Sequence, residues 1–355
     1  MNLPQSDLAR ALLKPASYCY GFGSYFRLKA YSKGIFNTSR AAVPVVSIGN
    51  ITVGGTGKTP ITIDLGHRLI EQGKRVGILS RGYKRQSKES HVVVSDGNQL
   101  LVTCRQAGDE PYLIALSLPQ AVVISGSSRI DSAALAVNQF GCDVLLLDDG
   151  FQHVQLGRDL DIVLMDYSDD LKSLCMLPVG RLREPLSGLE RASHIVISKI
   201  PPEPNRQRLE SIKSMITNLA PEAVLCSSSF LPSLLKGQNQ RDLGFLKDKK
   251  VVAVSGIARP ESFIDCLKEL QADVVAEATY DDHHWFKKSD IESIERLASK
   301  HEADLILTTS KDYVRMDESS ISSLLSDRLY ALVQHTRWIS EPPDLDALFA
   351  ENGRK

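Results

Sequence analysis

Short apolar runs recur along the first 200 residues, and each is followed by a polar or glycine-rich loop. They are rich in β-branched residues and show no polar alternation: VPVVSI (43–48), RVGILS (75–80), AVVISG (121–126), DVLLLDD (143–149), DIVLMD (161–166) and HIVISK (194–199). Runs of this kind predict strands that are buried on both faces of a parallel sheet. With a helix-like segment after each run, the pattern predicts an α/β fold with a doubly wound, mostly parallel sheet.

A second, weaker series of runs follows a proline-rich break. The segment IPPEPNRQR (200–208) interrupts the rhythm with three prolines, and we place the main domain boundary there. Beyond it lie AVLCSSS (223–229), KVVAVSGIA (250–258), DVVAEATY (273–280), DLILTTS (304–310) and LYALVQ (329–334). We therefore expect a core domain over residues 41–205 and a smaller α/β domain over residues 206–355 that closes over a cleft.

Residues 1–40 differ in composition from the rest of the chain. No acidic residue lies between Asp7 and Asp64, and seven aromatic residues fall between positions 18 and 36. Only 12 uncharged residues separate Lys14 from Arg27, too few to span a bilayer, which takes about 20. Rings and cations without carboxylates are typical of a segment in the headgroup layer of a membrane. A helix that packs its rings on the core domain is the alternative.

Composition limits the classes of partner. The apolar content of 43% and charged content of 24% are ordinary for a soluble globular chain of 355 residues. A net charge of −1 argues against a general nucleic-acid-binding protein, which carries a basic excess. The six cysteines are scattered without a C-x-x-C pair, which favours reduced thiols in a cytosolic compartment.

The stretch VSIGNITVGGTGKTPI (46–61) has the features of a phosphate-binding loop. Glycines let backbone N–H groups converge on phosphate oxygens, and the start of the following helix adds its partial positive charge. The lysine would reach the β- and γ-phosphates and the threonine hydroxyl would bind Mg²⁺. The usual pattern has a glycine where this chain has Thr52. The residues predicted to cradle the nucleotide are Gly54, Gly55, Thr56, Gly57, Lys58 and Thr59.

A second motif supplies carboxylates. In CDVLLLDDGFQH (142–153) an apolar strand ends in two aspartates, an arrangement that brings a carboxylate to the metal beside the phosphates. Asp148 is the expected metal-side group. Asp149 would bind the metal, orient a water or hold Lys58. His153 lies on the loop that would face the nucleotide. The two motifs predict ATP and Mg²⁺ as cofactors, and nucleotide hydrolysis or transfer as the chemistry.

Together these motifs resemble the signature pair of the tetraacyldisaccharide 4′-kinases, the lipid A 4′-kinases. Six supporting stretches occur in the expected order: SRGYKR (80–85), GDEP (108–111), SSRIDSA (127–133), LPVGRLREP (177–185), DDHHWF (281–286) and TTSKD (308–312). The resemblance implies γ-phosphoryl transfer from ATP to the 4′-hydroxyl of an acylated glucosamine disaccharide 1-phosphate. Because the acceptor's acyl chains lie in a bilayer, it also implies an enzyme at the cytoplasmic face of the inner membrane.

The resemblance also implies roles for individual residues. A sugar hydroxyl is a poor nucleophile, so a base must accept its proton. Asp109 is the implied base, and His283 from the second domain would assist it. Guanidinium groups would bind the acceptor's 1-phosphate and the transferring phosphoryl group. The implied substrate-binding residues are Arg81, Tyr83, Glu110, Arg129, His153, Arg181 and Arg183. Which arginine serves which phosphate is left open, and for each a surface ion pair is the alternative.

A different class of P-loop protein would share part of this signature. Switch or partitioning ATPases carry a K-G-G-x-G-K-T loop, whose first lysine reaches across a dimer to the partner's nucleotide. This chain has Val53 at that position, which disfavours the ATPase interpretation. A membrane-surface scaffold that binds nucleotide without chemistry is a third alternative, and it would not need Asp109 and His283 together.

Overall fold

The computed structural model describes residues 7–169, 174–316, 325 and 327–350. Its helices are α1 (Asp7–Ser32), α2 (Lys58–Glu71), α3 (Cys104–Ala107), α4 (Asp109–Ser117), α5 (Arg129–Asn138), α6 (Arg206–Leu219), α7 (Pro260–Glu269), α8 (Lys288–Lys300) and α9 (Ser310–Tyr313). Short 3₁₀ turns cover Leu186–Arg191, Leu243–Leu246 and Asp346–Leu348.

The strands form one continuous sheet, because each pairs with a neighbour along the whole width of the molecule. In chain order they are β1 (Val45–Asn50), β2 (Val76–Ser80), β3 (His91–Asp96), β4 (Val122–Gly126), β5 (Val144–Asp148), β6 (Leu160–Asp166), β7 (His194–Ser198), β8 (Val224–Lys236), β9 (Gln240–Arg241), β10 (Lys250–Ser255), β11 (Asp273–Thr279), β12 (Leu305–Thr309) and β13 (Leu329–Trp338). Their spatial order is β11-β10-β12-β13-β8-β7-β6-β1-β5-β2-β4-β3, with β9 paired to β8.

The first half of the sheet is doubly wound and mostly parallel, as the apolar runs predict. Strands β1, β2, β4, β5 and β7 are buried along their whole length. Their side chains pack under helices such as α2, which buries Ile61 and Leu65 against the sheet. At the edge, β3 pairs with β4 in the antiparallel sense. The predicted fold class is confirmed.

Strand β8 connects the two halves of the molecule. Its first residues, Val224–Ser227, pair in parallel with β7. The remainder extends past that sheet edge and pairs antiparallel with β13, from Ser228 to Lys236. Because β10, β12 and β13 are mutually parallel and run back along β8, the carboxyl ends of the strands in the two halves point toward each other. Loops at the carboxyl ends of parallel strands are where such folds bind ligands.

Helix α1 precedes the sheet and contacts the first half with one side. The Ser17 hydroxyl donates to the carbonyl of Met176 (2.8 Å), and Arg27 donates to the carbonyl of Gln152 (3.0 Å). Many other side chains of the helix are exposed to solvent. No helix among the described residues has the length and hydropathy needed to cross a bilayer.

Candidate active site

A cleft of about 2710 Å³ lies between the two halves, where the carboxyl ends of their strands point toward each other. One wall holds residues 54–59, Asp149 and the loop after β2; the other holds His283 and Lys311. The domain boundary predicted at residues 205 and 206 stays a prediction. Both halves nevertheless contribute to this cleft.

The predicted phosphate loop connects β1 to α2. Gly54 and Gly57 have positive φ angles of 122° and 92°, a conformation that glycine adopts without strain. Neither position has room for a side chain, because the Arg181 guanidinium packs over Gly54 and the Phe230 ring packs over Gly57. Gly57 is also the residue before the first turn of α2, so the loop presents its backbone N–H groups at a helix N-terminus.

Lys58 is held at the head of this loop. Its Nζ lies 3.2 Å from Oδ1 of Asn50 at the end of β1. The same Nζ lies 3.6 Å from Oδ1 of Asp149, and the lysine side chain is largely buried. Thr59, the predicted metal ligand, is buried beside it in the first turn of α2. A fixed, largely desolvated ammonium at this point acts more strongly on phosphate than one in water.

The two aspartates at the end of β5 differ in environment. Asp148 is buried and accepts hydrogen bonds from the hydroxyls of Thr62 and Ser80, each at 3.4 Å. Burial and the nearby carboxylates of Glu110 and Asp149 raise the pKa of Asp148 to about 7. The charges of Lys58 and Lys311 offset this rise only in part.

Asp149 faces the cleft in a left-handed conformation, with φ 58°. Both of its carboxylate oxygens lie 2.9 Å from Nη1 of Arg183. Burial alone would raise the pKa of Asp149, but the charges of Lys58 and Arg183 outweigh it and hold the pKa below its usual value. Asp149 is therefore a charged link between the phosphate loop and Arg183.

Asp109 and His283, which are 174 positions apart, meet across the cleft. Nδ1 of His283 and Oδ2 of Asp109 lie 2.8 Å apart. Asp109 is the first residue of α4, and its Oδ1 accepts the backbone N–H of Glu110 at 2.9 Å. Burial favours the protonated carboxyl group, but the hydrogen bond and charge of His283, with Lys311 and Arg315, leave the pKa of Asp109 lowered. His283 lines the cleft, whereas the Asp109 side chain lies behind it.

A second contact joins the same two elements. Nζ of Lys311 on α9 lies 2.6 Å from Oε1 of Glu110 on α4. The ammonium of Lys311 lowers the pKa of Glu110 despite its burial. Two consecutive carboxylates of GDEP are thus bound by two side chains of the other half.

The predicted substrate-binding residues divide into two groups. Arg81, Tyr83, Glu110, Arg181 and Arg183 line the cleft. Among these, Arg181 donates to the carbonyl of Val53 from Nε (3.0 Å) and Nη2 (2.7 Å), and it also pairs with Asp169. Its contacts brace the phosphate loop, whereas Arg81 and Tyr83 are exposed on the loop after β2.

Arg129 and His153 lie behind the cleft wall. The Arg129 guanidinium is buried, donates to the carbonyl of Gly126 and has its pKa lowered to about 10 by burial. Burial and the neighbouring charge of Arg129 lower the pKa of His153 to about 4, so that its ring is neutral near pH 7. Their proposed contact with substrate remains a prediction.

Four residues without a predicted role, Asn50, Gln152, Glu184 and Arg191, support the phosphate loop. The side-chain amide of Gln152 donates to the carbonyl of Asn50 (2.8 Å) and to Oε1 of Glu184 (2.9 Å). Glu184 is fully buried and pairs with Arg191 at 2.9 Å. The position of Asn50 is a signal that sequence reasoning could have used: this residue ends β1 four positions before Gly54, and its side-chain oxygen accepts from Lys58.

The fold and this cleft define a nucleotide-dependent kinase of the P-loop class, in which a glycine loop at a helix N-terminus and a carboxylate at a strand end line the same cleft as His283 of the second half. More narrowly, the chain belongs to the tetraacyldisaccharide-1-P 4′-kinase family, whose model matches residues 9–353.

Similarity to individual relatives and to a solved structure supports this family membership. The chain is 38% identical over 331 residues to the tetraacyldisaccharide 4′-kinase of Anaeromyxobacter dehalogenans (strain 2CP-C), an alignment covering 92% of this chain and 86% of the relative. It is 38% identical over 312 residues to that of Halothermothrix orenii, covering 84% and 81%. Among solved structures, the "apo" form of LpxK from Aquifex aeolicus in complex with ATP superposes with a TM-score of 0.76, at 31% identity, over 98% of this chain and all of that one.

These similarities confirm the predicted family and favour a kinase over a switch or partitioning ATPase. The assignments of single residues to catalysis, metal or acceptor stay predictions.

Proposed function

We propose that this chain transfers the γ-phosphoryl group of ATP to the 4′-hydroxyl of a tetraacylated glucosamine disaccharide 1-phosphate. The observation that carries the proposal is the contact between Asp109 and His283, at 2.8 Å, in the cleft that also holds the phosphate loop. A nucleotide-binding scaffold needs no such pair, whereas a kinase needs a proton acceptor beside the γ-phosphate. The solved Aquifex relative was crystallised with ATP, which supports ATP as the donor.

The transfer requires one proton acceptor and a fixed positive charge. As the 4′-oxygen bonds to the γ-phosphorus, its proton passes to the Asp109–His283 pair, the bond from the γ-phosphorus to the bridging oxygen breaks, and ADP leaves. The two members of the pair share a hydrogen bond and therefore act together on the proton. Lys58 stabilises the charge on the phosphoryl oxygens. Closure of the two halves excludes water that would otherwise hydrolyse ATP.

Mg²⁺ would be held by Thr59 and Asp148. The donor set fits this ion, which prefers oxygen ligands and is bound through one or two carboxylates together with substrate phosphates. Burial, followed by the nearby carboxylates of Glu110 and Asp149, raises the pKa of Asp148 to about 7, and Lys58 and Lys311 offset this only in part. When bound, the ion neutralises charge on the β- and γ-phosphates.

Replacing Asp148 with asparagine is expected to raise the Mg²⁺ concentration for half-maximal transfer by about tenfold or more, since a charged ligand is lost. A titration of transfer rate against Mg²⁺ measures this. Asp304→Asn is the matched control, because that carboxylate contacts only Lys249 and a backbone N–H among its described ion-pair and hydrogen-bond partners. An unchanged Mg²⁺ requirement in the Asp148 variant would exclude this residue as a ligand.

The acceptor would bind along the arginine-lined rim of the cleft. Arg81 and Tyr83 are exposed there, and Arg183 reaches the same space while bound to Asp149. Guanidinium groups bind phosphate with two parallel hydrogen bonds, so these side chains suit the anionic 1-phosphate or the transferring group. Arg27 of α1 lies nearby, bonded to the carbonyl of Gln152. The acyl chains would leave the cleft on the side of α1.

We also propose that α1 places this cleft at the surface of the inner membrane, on its cytoplasmic face. Four apolar side chains of the helix are strongly exposed: Leu8 (72%), Leu12 (73%), Tyr18 (76%) and Phe22 (71%). The stacked pair Phe22 and Phe26, with ring centroids 6.5 Å apart, projects from the same helix. A helix with exposed rings and cations favours the boundary between headgroups and acyl chains.

The double replacement Phe22→Ser and Phe26→Ser is expected to weaken binding to anionic lipid vesicles by at least about tenfold, because each buried ring contributes about 1.5–3 kcal/mol. Vesicle sedimentation measures the bound fraction. Leu100→Ser with Leu101→Ser removes two exposed apolar side chains elsewhere and should leave binding unchanged. Equal binding of all three proteins would place the membrane contact outside α1.

The function itself is tested with purified protein, Mg²⁺, the disaccharide 1-phosphate in detergent and ATP radiolabelled at the γ-phosphate. Label is expected to move to the lipid, and chromatography of the extract measures it. Release of free phosphate without labelled lipid would contradict the proposal and favour an ATPase.

A further inference from the structure

A buried arginine lies directly behind the Asp109–His283 pair. Arg315 follows α9 by two positions, and its guanidinium is almost completely inaccessible to solvent. Nη2 lies 2.6 Å from Oδ1 of Asp312 and donates to the carbonyl of Gly256 at 3.1 Å. Nε donates to the carbonyl of Lys311 at 3.0 Å and lies 3.7 Å from Oδ2 of Asp109. The carboxylate oxygen that binds His283 therefore also faces this guanidinium.

The same guanidinium supports the backbone that carries His283. The carbonyl of Gly256, which accepts from Arg315, also accepts the backbone N–H of His283 at 3.2 Å. The N–H of Gly256 donates to Oδ1 of Asp312 at 3.1 Å. His283 has a positive φ of 63°, a strained conformation for a non-glycine residue that surrounding contacts must maintain. One side chain thus contacts the partner carboxylate of His283 and the peptide group that holds His283 in place.

We propose that Arg315 is a positioning residue for phosphoryl transfer, which fixes the relative position of Asp109 and His283 and keeps Asp109 negatively charged. The inference rests on the proposed function, since it gives a role to a group that acts through the proton-accepting pair. Arg315 does not line the cleft, so its effect reaches the acceptor only through that pair.

The charges around Asp109 support this role. On its own helix lies Glu110; the thiol of Cys104 faces it from α3; and His283, Lys311 and Arg315 face it from the second half. Asp312 lies behind Arg315 and offsets part of its charge. Burial raises the pKa of Asp109, and the hydrogen bond from His283 together with the positive charges of Lys311 and Arg315 brings it below the usual value. Removing one of these charges raises that pKa.

Lysine could replace the charge of Arg315 but not its geometry. In the planar guanidinium, Nε contacts the carbonyl of Lys311 and Oδ2 of Asp109, while Nη2 contacts the carbonyl of Gly256 and Oδ1 of Asp312. An ammonium is a compact point charge with no such fork. A lysine at this position should therefore preserve the ionisation of Asp109 better than its alignment with His283.

Arg315→Met is expected to lower kcat by about 10- to 100-fold, less than the 10²–10⁴ that a general base contributes. The KM for ATP should stay near the wild-type value, because the phosphate loop is untouched. Since Asp109 acts ionised, a higher pKa moves the acid limb of the kcat profile to higher pH, by about one pH unit. Arg315→Lys should restore the position of that limb while recovering only part of kcat.

Two comparisons separate this role from a general loss of structure. Arg328→Met removes a partly buried arginine of the same half that pairs with Glu295 at 3.2 Å, and its pH profile should match wild type. In an Asp109→Asn background, Arg315→Met should cause little further loss, because residues that act through one group are not additive. Folding is checked by thermal melting.

Two results would overturn the proposal. One is an acid limb of the kcat profile that does not shift in folded Arg315→Met. The other is a full additional loss of kcat when Arg315→Met is combined with Asp109→Asn. If the methionine variant melts below the assay temperature, Arg315→Lys decides: a kcat several-fold below wild type with unchanged KM for ATP supports the role, and wild-type kcat overturns it. Failure of wild type and Arg328→Met to label lipid would instead reject the proposed function.

Discussion

Lys58→Ala is expected to reduce kcat for lipid phosphorylation by about 10²–10³-fold, the usual cost of removing one fixed electrostatic contact to a transition state. Nζ of Lys58 is largely buried between Asn50 Oδ1 at 3.2 Å and Asp149 Oδ1 at 3.6 Å. It is therefore positioned before nucleotide binds, and no reorganisation is needed as charge moves to the leaving ADP. Steady-state rates at saturating ATP and lipid measure the effect.

Lys249→Ala is the matched control for that variant. Nζ of Lys249 lies 3.9 Å from Asp304 on the far side of the second half, and both side chains are exposed. This change should leave kcat within about twofold, because exposed ion pairs contribute little. Wild-type turnover in Lys58→Ala would remove the loop lysine from the mechanism, whatever the fold suggests.

The strands of the first half could be predicted because burial on both faces leaves a local signature. DVLLLDD and HIVISK contain four and three consecutive apolar residues, and both form strands that are buried along their whole length. Strand β3 escaped prediction because it lies at the sheet edge and is only partly buried, so its run HVVVSD is short and mixed. Strand β8 was predicted only over 223–229. Its continuation changes partner from β7 to β13, and no local pattern encodes that change.

Contiguous parts of the site could be read from the sequence for a similar reason. A phosphate loop depends on backbone freedom within a few residues, and Gly54 and Gly57 do have positive φ angles. Contacts between distant segments are different. The pairing of Asp109 with His283 follows from the resemblance to the kinase family. Arg315 lies in no local motif. Its position beside Asp109 depends on strand β8, which connects the two halves so that they face each other.

The arginines show where position along the chain misleads. The same substrate-binding role is predicted for Arg129, Arg181 and Arg183, because each follows a predicted strand or lies in a polar loop. In the structure Arg183 binds Asp149 in the cleft, Arg181 binds the carbonyl of Val53, and Arg129 is buried against Gly126. Because the three side chains are chemically identical, the position and direction of the backbone decide whether each guanidinium reaches the cleft, the phosphate loop or the core.

His283→Ala and Asp109→Asn are each expected to lower kcat by about 10²–10⁴-fold, the range for loss of a general base. Because the two groups form one hydrogen-bonded unit at 2.8 Å, the double variant should be scarcely slower than the worse single one. His283 lines the cleft and Asp109 lies behind it. Imidazole added to the buffer should therefore restore part of the activity of His283→Ala and none of that of Asp109→Asn.

His284→Ala provides the control, since the neighbouring ring points elsewhere. Nε2 of His284 lies 2.9 Å from Asp290, and its ring stacks on Tyr280 with centroids 4.7 Å apart. This variant should keep kcat within about twofold while losing some stability. If His283→Ala and His284→Ala had the same activity, the contact with Asp109 would serve only to join the two halves. Strict additivity of the Asp109 and His283 losses would likewise show that the proton is taken elsewhere, because a shared acceptor can be removed only once.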